Sequence, residues 1–517
     1  MNEDNRRWWA LGAMCFALFM IMLDNTVVNV ALPSIQRSLH ASTASLEWTV
    51  NAYTLSFAVL LVTGGRLGDL FGRRKLFLTG VIIFAASSAA IGFSPNDTWL
   101  VAWRAIQGAG AALMMPATLS IITNAFPPKE RGRAIGTWAG VSALALAIGP
   151  VLGGFLVESV SWQSIFFLNL PVAAAAICVT LFAVVESRDE TVERIVDLPG
   201  VATLTVGLAA LVLALIEGNS WHWVSLREIA LYATAVIGLG AFALIETRRR
   251  VPMVNFSFFR SRTFLGANIV AFIVSFAMLA MFFFLALYLQ NIRGYSPLQA
   301  GVRFLPSTLM IVLLAPVAGR LADRVGPRPL MTAGLLCVSG ALFWQSSLTV
   351  SSSYGTLLPG FVLMGIGMAF VMSPMSTAAM NSVEQAKAGV ASGILSMSRM
   401  VGGTFGVAVL GALVSTLGSS KLESLLPHLP ARTREAITGG LGSGSPAHGA
   451  PGGVVQAGHE AFVYALQNGL RLGAAVALAG AIVAWTMVGR DPAPRDLAAA
   501  VPDVAPDAMR VAESVNV

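Results

Sequence analysis

Stretches of about 20 mostly apolar residues follow one another along almost the whole chain, each long enough to cross the hydrocarbon core of a membrane as a helix. Fourteen such spans are predicted, beginning near Trp8, Leu46, Leu76, Trp99, Ala134, Gln163, Leu198, Glu228, Thr263, Leu298, Leu330, Gly355, Ala388 and Leu466. Backbone surrounded by lipid must satisfy its own hydrogen bonds, so the fold class is all-α integral membrane. The composition agrees, with 56% hydrophobic and 11% charged residues and a mean hydropathy of +0.74. The first run is too long, and followed by too many others, to read as a cleaved leader.

Basic residues give the spans a direction, because cytoplasmic loops retain lysine and arginine. With the N-terminus inside, cytoplasmic segments hold 23 of the 33 lysines and arginines. The expected topology is therefore multi-pass, with both termini cytoplasmic. The formal charge of +7 follows from that bias and implies no nucleic-acid partner. Cys15, Cys178 and Cys337 fall in three different runs, which fits packing better than a disulfide framework or a metal site.

One short segment between spans 2 and 3, Gly65-Arg-Leu-Gly68-Asp69-Leu-Phe-Gly72-Arg73-Arg74-Lys75, returns between spans 10 and 11 as Gly319-Arg-Leu-Ala-Asp323-Arg-Val-Gly326-Pro327-Arg-Pro329. The chain reads as a duplication. The copies lie eight spans apart, so two six-helix halves must be separated by two inserted helices, spans 7 and 8. The expected domains are 1–186 for the first bundle, 187–262 for the inserted pair with its linkers, and 263–490 for the second bundle. The second bundle includes an external flexible loop over 415–465, and a disordered cytoplasmic tail follows over 491–517.

The repeated loop, together with several span motifs, resembles the major facilitator superfamily, and within it the fourteen-helix drug:proton antiporters. Leu23-Asp24-Asn25-Thr26-Val27-Val28-Asn29-Val30-Ala31-Leu32-Pro33 looks like the first-helix signature of that branch. Arg104-Ala-Ile-Gln107-Gly108-Ala-Gly110 is similar to the fourth-helix motif, and Gly149-Pro150-Val-Leu-Gly153-Gly154 to the antiporter motif of the fifth. Trp162-Gln163-Ser-Ile-Phe-Phe-Leu-Asn169-Leu-Pro171 and Tyr295-Ser-Pro-Leu-Gln-Ala-Gly301 also match, with Gln163 where the family usually has arginine. The resemblance implies a major facilitator fold of fourteen transmembrane helices in a bacterial cytoplasmic membrane.

Asp24 is the carboxylate placed deepest within a span, and an acid there costs about 2.5–3.5 kcal/mol on insertion scales. One reading places it facing a water-filled central cavity, binding a proton and a cationic substrate in turn. The other makes it a structural acid held by Asn25 or Asn29. Arg104, in span 4, is the matching cation. The resemblance implies a part in proton transfer for it, and a helix-pairing role is the alternative. Gln107 lies one turn away and shares that polar patch. In the loop, Gly65, Gly68 and Gly72 allow a tight turn. Asp69 is placed to accept hydrogen bonds at a helix N-terminus and to pair with an arginine, while Arg73 and Arg74 are expected at the lipid headgroups. Such a cluster can latch the cytoplasmic side. With Pro327 interrupting the basic run after Asp323, the second latch should be weaker. Gly149 and Gly153, with Pro150, provide a kink and a close-approach face in span 5, and the resemblance adds that this motif, Gly154 included, limits leak. Phe272, Phe276 and Phe283 in span 9 and Met364, Met368, Met372 and Met375 in span 12 form stripes that read as packing or as substrate contacts. The candidate cavity set is Asn25, Tyr53, Gln107, Phe276, Met372 and Arg399.

No G-x-x-x-x-G-K-[ST] segment occurs, so nothing points to ATP hydrolysis. The leading expectation is a proton-coupled antiporter exporting lipophilic, cationic or neutral organic compounds, with protons and the lipid bilayer as its other partners and no cofactor or metal. A dedicated exporter of one natural product is the alternative. A membrane-embedded enzyme or sensor is less favoured, because no span combines His, Cys or clustered carboxylates.

Overall fold

A computed structural model describes residues 3–190, 197–249, 252–428, 430, 437 and 452–490. Among these residues the regular structure is helical. The first half comprises α1 (Glu3–Leu39), α2 (Thr43–Phe71), α3 (Arg73–Gly92), α4 (Asp97–Ala125), α5 (Pro128–Ser159), and a span broken at Leu168 into α6 (Ser164–Phe167) and α7 (Asn169–Ala183). The inserted pair is α8 (Leu198–Trp221) and α9 (Leu226–Arg248). The second half comprises α10 (Arg262–Leu287), α11 (Pro297–Val325), α12 (Pro327–Gln345), α13 (Tyr354–Asn381), α14 (Ala388–Leu425) and α15 (Gly452–Met487).

Helix starts follow local chemistry. Ser42, Asn96, Ser225 and Ser261 cap α2, α4, α9 and α10 through their side chains, and Ser296 with Gln299 forms a capping box at α11. The two repeated loops end their helices alike: Gly72 and Gly326 adopt φ of 114° and 85°, a region that favours glycine. Each is the turn between two antiparallel spans.

Among the described residues twelve helices are long and apolar enough to cross a membrane. α5 makes a thirteenth when its two segments, Pro128–Leu146 and Val151–Ser159, bent by 42°, are taken as one span. The remaining expected span is α12, with 19 residues. Span 14 begins at Gly452 rather than near Leu466, and α14 runs on to Leu425. Both ends of the expected external loop over 415–465 are therefore helical, because these helices continue past the apolar stretch that marks them in the sequence. The middle of that loop and the tail over 491–517 lie outside the described residues.

Packing reproduces the duplication. α2 and α3 pack on α4, and α1 packs on α5 and α7; in the second half α11 and α12 pack on α13, and α10 packs on α14. The halves meet through α5 against α11 and α2 against α14. Glycines make these seams tight: a Cβ on Gly65 would collide with the Gly389 carbonyl, and one on Gly132 or Gly319 with the other's carbonyl. Along α5 the approach loosens away from the repeated loops. A Cβ would collide with the α11 backbone at Gly132 and Gly136 but reach only 3.4 Å at Gly140. The inserted α8 and α9 pack on each other, and α8 rests on both α2 and α14 beside one seam.

Candidate functional site

The polar centre of the first half is built by five helical segments around Asp24. Arg104 Nη1 on α4 donates to Asp24 Oδ2 at 2.5 Å and to Gln107 Oε1 at 2.7 Å, while its Nε donates to the Thr49 carbonyl of α2 at 2.9 Å. Gln107 Nε2 reaches Asp24 Oδ1 at 3.0 Å and Ser88 Oγ of α3 at 2.8 Å. Asn169 Nδ2, at the start of α7, donates to the same two oxygens at 3.3 and 3.2 Å. The Tyr53 ring closes one side, 4.3 Å from the Arg104 guanidinium carbon. Asp24, Arg104 and Gln107 are 4%, 1% and 0% exposed.

This enclosure corrects two expectations. Asp24 does not face an open cavity in this structure; it lies inside the first half with both oxygens engaged. Nor do Asn25 and Asn29 hold it, since their amides donate to their own helix, at the Ile21 and Asn25 carbonyls. A charge in low dielectric needs a partner of opposite sign, and Arg104 provides it where an amide alone would not. Ser88 and Asn169 complete the site without having been singled out. The signal for Asn169 is its place at the break between α6 and α7, where the free N–H groups of a helix start suit a polar residue.

Beside this centre, Gly149 and Gly153 on α5 face α1. A Cβ on Gly149 would collide with Thr26 Oγ1, and one on Gly153 would come within 3.1 Å of Val27. Gly154 points elsewhere, with nothing within 4 Å of an added Cβ. Pro150 lies at the bend of α5.

The two loop copies hold the halves together, each reaching into the other half. Asp69 Oδ1 and Oδ2 accept from Gly389 N at 2.9 Å and Val390 N at 2.8 Å, the free amides at the N-terminus of α14. Arg73 donates to Asp69 Oδ1 from Nε at 3.0 Å and Nη2 at 2.6 Å, and Nη2 also reaches the carbonyls of Gln385 and Ala386. Arg73 is thus 1% exposed, not at the headgroups as expected, because the other half covers it and supplies carbonyl acceptors. Arg74 stays partly exposed and donates to the Leu181 carbonyl. Asp323 mirrors Asp69 by accepting from Gly132 N at 3.1 Å and Arg133 N at 3.3 Å at the start of α5. Proline stands at 327 where the first copy has Arg73, so no arginine joins this second contact from that position.

The remaining cavity candidates disperse. Phe272 and Phe276 pack on Phe405 of α14, at 5.9 and 6.2 Å between ring centres, while Phe283, further along α10, is 44% exposed. Met364, Met368, Met372 and Met375 are buried packing residues of α13, and Arg399 is half-buried on α14. Among the described residues no cluster of His, Cys, Asp and Glu could hold a metal ion.

Two pseudo-repeated helical bundles, an inserted helix pair and a buried ion pair in the first bundle define a polytopic membrane protein of the secondary-transporter type. Residues 14–407 match the family model of the Major Facilitator Superfamily, and the chain belongs to that family. It is 36% identical over 490 residues to the tetracenomycin C resistance and export protein of Streptomyces glaucescens, covering 93% of this chain and 91% of that one. The multidrug resistance protein Stp of Mycobacterium tuberculosis is 39% identical over 421 residues, or 81% and 77% of the two chains. Among solved structures, the human organic anion transporter MFSD10 superposes with a TM-score of 0.62 at 16% identity, over 92% of this chain and 99% of that one. The proton:xylose symporter XylE superposes with a TM-score of 0.62 at 14% identity, over 94% and 97%. These two likenesses establish the fold alone.

Proposed function

We propose that this protein is a proton-coupled antiporter that exports lipophilic organic compounds from the cell. It would sit in the cytoplasmic membrane with fourteen spans and both termini inside, divided at about 186, 262 and 490 into the two bundles, the inserted pair and the tail. It is read as a transporter, not an enzyme. The observation that carries the coupling is the buried Asp24–Arg104 pair, and the names of the curated relatives support the choice of cargo.

In this reading Asp24 is the proton acceptor. While ionised it holds Arg104 and the amides of Gln107 and Asn169. Protonation cancels the attraction to Arg104 and releases α1 from α4. Thr26, two residues along α1, lies in the Gly149 notch of α5, so a shift of α1 is transmitted to the helix that forms the interbundle seam. The Asp69 and Asp323 contacts close the cytoplasmic side in the state described, and their opening admits substrate from within. Asn25, Tyr53, Phe276, Met372 and Arg399 remain the proposed substrate contacts, with a cationic or neutral cargo. A membrane potential supplies about 2.3 kcal/mol per charge per 100 mV to this exchange.

Purified protein in proteoliposomes under an imposed pH gradient tests the proposal with a fluorescent lipophilic cation. Wild type is expected to move the dye uphill, and Asp24→Asn to stay folded without doing so. Uphill transport by Asp24→Asn at the wild-type rate would sink the assignment. A second reading, a dedicated exporter of one natural product, is favoured by the similarity to a tetracenomycin C export protein. Transport of one compound among a panel of dyes and antibiotics would select it.

A further inference from the structure

We propose that the end of the first bundle carrying the repeated loop contains a built site for the phosphodiester headgroup of an anionic phospholipid, and that occupancy of this site supports the Asp69–Arg73 contact between the halves. A cavity of about 380 Å³ opens there between the start of α1, the end of α4 and the segment that follows α7. Arg6 and Arg7 line it together with Asn124. Arg6 Nε donates to the Ala183 carbonyl at 3.2 Å, which fixes the guanidinium plane at the wall, and among the described residues no carboxylate pairs with it. Glu186 also lines the cavity, but its oxygens are turned to the N-terminus of α3, accepting from Arg74 N at 3.0 Å and Lys75 N at 3.1 Å. The pocket therefore offers the guanidinium of Arg6, beside Arg7 shared with Glu130 and the Asn124 amide shared with the Ser120 carbonyl, in a space far larger than one phosphate ion fills.

Its rim distinguishes a lipid from a soluble anion. Val185, which lines the cavity, is 59% exposed, Leu181 and Phe182 in the last turn of α7 are 50% and 83% exposed, and Trp9, three residues after Arg6 on α1, is 57% exposed. An exposed tryptophan beside arginines marks the headgroup level of a membrane-spanning helix. An amphiphile seated here would place its phosphate against Arg6 and Arg7 and its chains over these apolar side chains.

The cavity wall also contacts the latch. Ser187, a lining residue, accepts from Arg73 N at 3.0 Å through its carbonyl, and the Asp189 amide donates to the Asp69 carbonyl at 2.8 Å. Arg7 reaches Glu130 at 3.3 Å, two residues before the Gly132 amide that Asp323 accepts. A ligand that fixes the wall fixes the backbone from which Arg73 and Asp69 act. This inference does not depend on the role assigned to Asp24.

Native mass spectrometry of the purified full chain, titrated with phosphatidylglycerol, phosphatidylcholine or inorganic phosphate, tests it. Wild type should retain one phosphatidylglycerol in preference to phosphatidylcholine, and Arg6→Gln should weaken that retention about fivefold, the scale of one basic residue near an anionic lipid. Arg260→Gln removes an exposed arginine outside the cavity and should leave retention unchanged. Ala125→Phe fills the cavity without altering charge and should also abolish retention, which covers the case in which Arg6→Gln fails to fold. Equal retention by wild type, Arg6→Gln and Ala125→Phe would overturn the proposal. So would displacement of the lipid by millimolar inorganic phosphate, which would make the site one for a free anion.

Discussion

Asp24 has its two carboxylate oxygens engaged by three donors, two from α4 and one from α7, and each donor carries a different weight. Arg104 supplies the charge, while Gln107 and Asn169 share Oδ1 at 3.0 and 3.3 Å. Removing one donor from a buried charged acceptor costs about 1–3 kcal/mol, whereas removing a side chain that only caps its own helix costs little. Asn169→Ala should therefore lower thermal stability in detergent and slow transport, whereas Asn29→Ala, an exposed residue whose amide reaches the Asn25 carbonyl of its own helix, should change neither appreciably. Parallel melting curves and transport assays of the two variants check this, and equal effects would remove Asn169 from the coupling site. At this scale the sequence was legible where charge was involved. An ion inside an apolar run must be compensated, so Asp24, Arg104 and Gln107 stood out and proved to be neighbours. Ser88 and Asn169 are neutral, incur a small penalty in a helix, and are found only when the packing brings them to Asp24.

α5 shows what a single helix transmits between halves. Gly132, Gly136 and Gly140 recur every four residues and face α11, whereas Gly149 in the bend and Gly153 beyond it face α1. Small residues at this spacing let helix backbones approach closely in lipid. A leucine at Gly136 would meet the Ala315 carbonyl and the Pro316 Cα, backbone that cannot rotate away, so Gly136→Leu should drive α5 from α11 and populate a state open at the loop end. Spin labels on the loop ends of α5 and α11 should report the longer distance. Gly154→Leu should leave the distance distribution unchanged, because a Cβ there meets nothing within 4 Å. The spacing of Gly149 and Gly153 announced a close-approach face, and that face exists. Which helix met it was not readable, because lipid and a neighbouring helix are equally apolar from the viewpoint of one segment. Arg73 was misplaced at the headgroups for a related reason: its carbonyl partners at Gln385 and Ala386 lie in the other half of the chain.

The duplicated loops act on one equilibrium of the whole molecule, and their inequality predicts how the halves respond. Each aspartate accepts two backbone amides at the start of a helix in the opposite half, so each contact must break for the halves to separate at that end. Asp69 does so at 2.8–2.9 Å with a buried arginine held against it, while Asp323 does so at 3.1–3.3 Å without one. Breaking a buried ion pair by removing one partner costs about 3–5 kcal/mol, and losing two neutral-donor bonds to a carboxylate costs less. Asp69→Asn strands Arg73 under the second half, so it should shift the open fraction far more than Asp323→Asn. A shift of about 5.5 kcal/mol takes a two-state equilibrium from 1:99 to 99:1 and half of that brings it to 1:1, so Asp69→Asn has the energy to carry the populations past the midpoint and Asp323→Asn only to redistribute them. Because the two contacts share no residue, the double variant should add in free energy. Single-molecule distances between labels on the loop ends of the two bundles would measure all three populations. A larger effect from Asp323→Asn, or a double variant no more open than Asp69→Asn alone, would mean that the seams of α5 with α11 and α2 with α14, rather than the loops, set the balance between the two states.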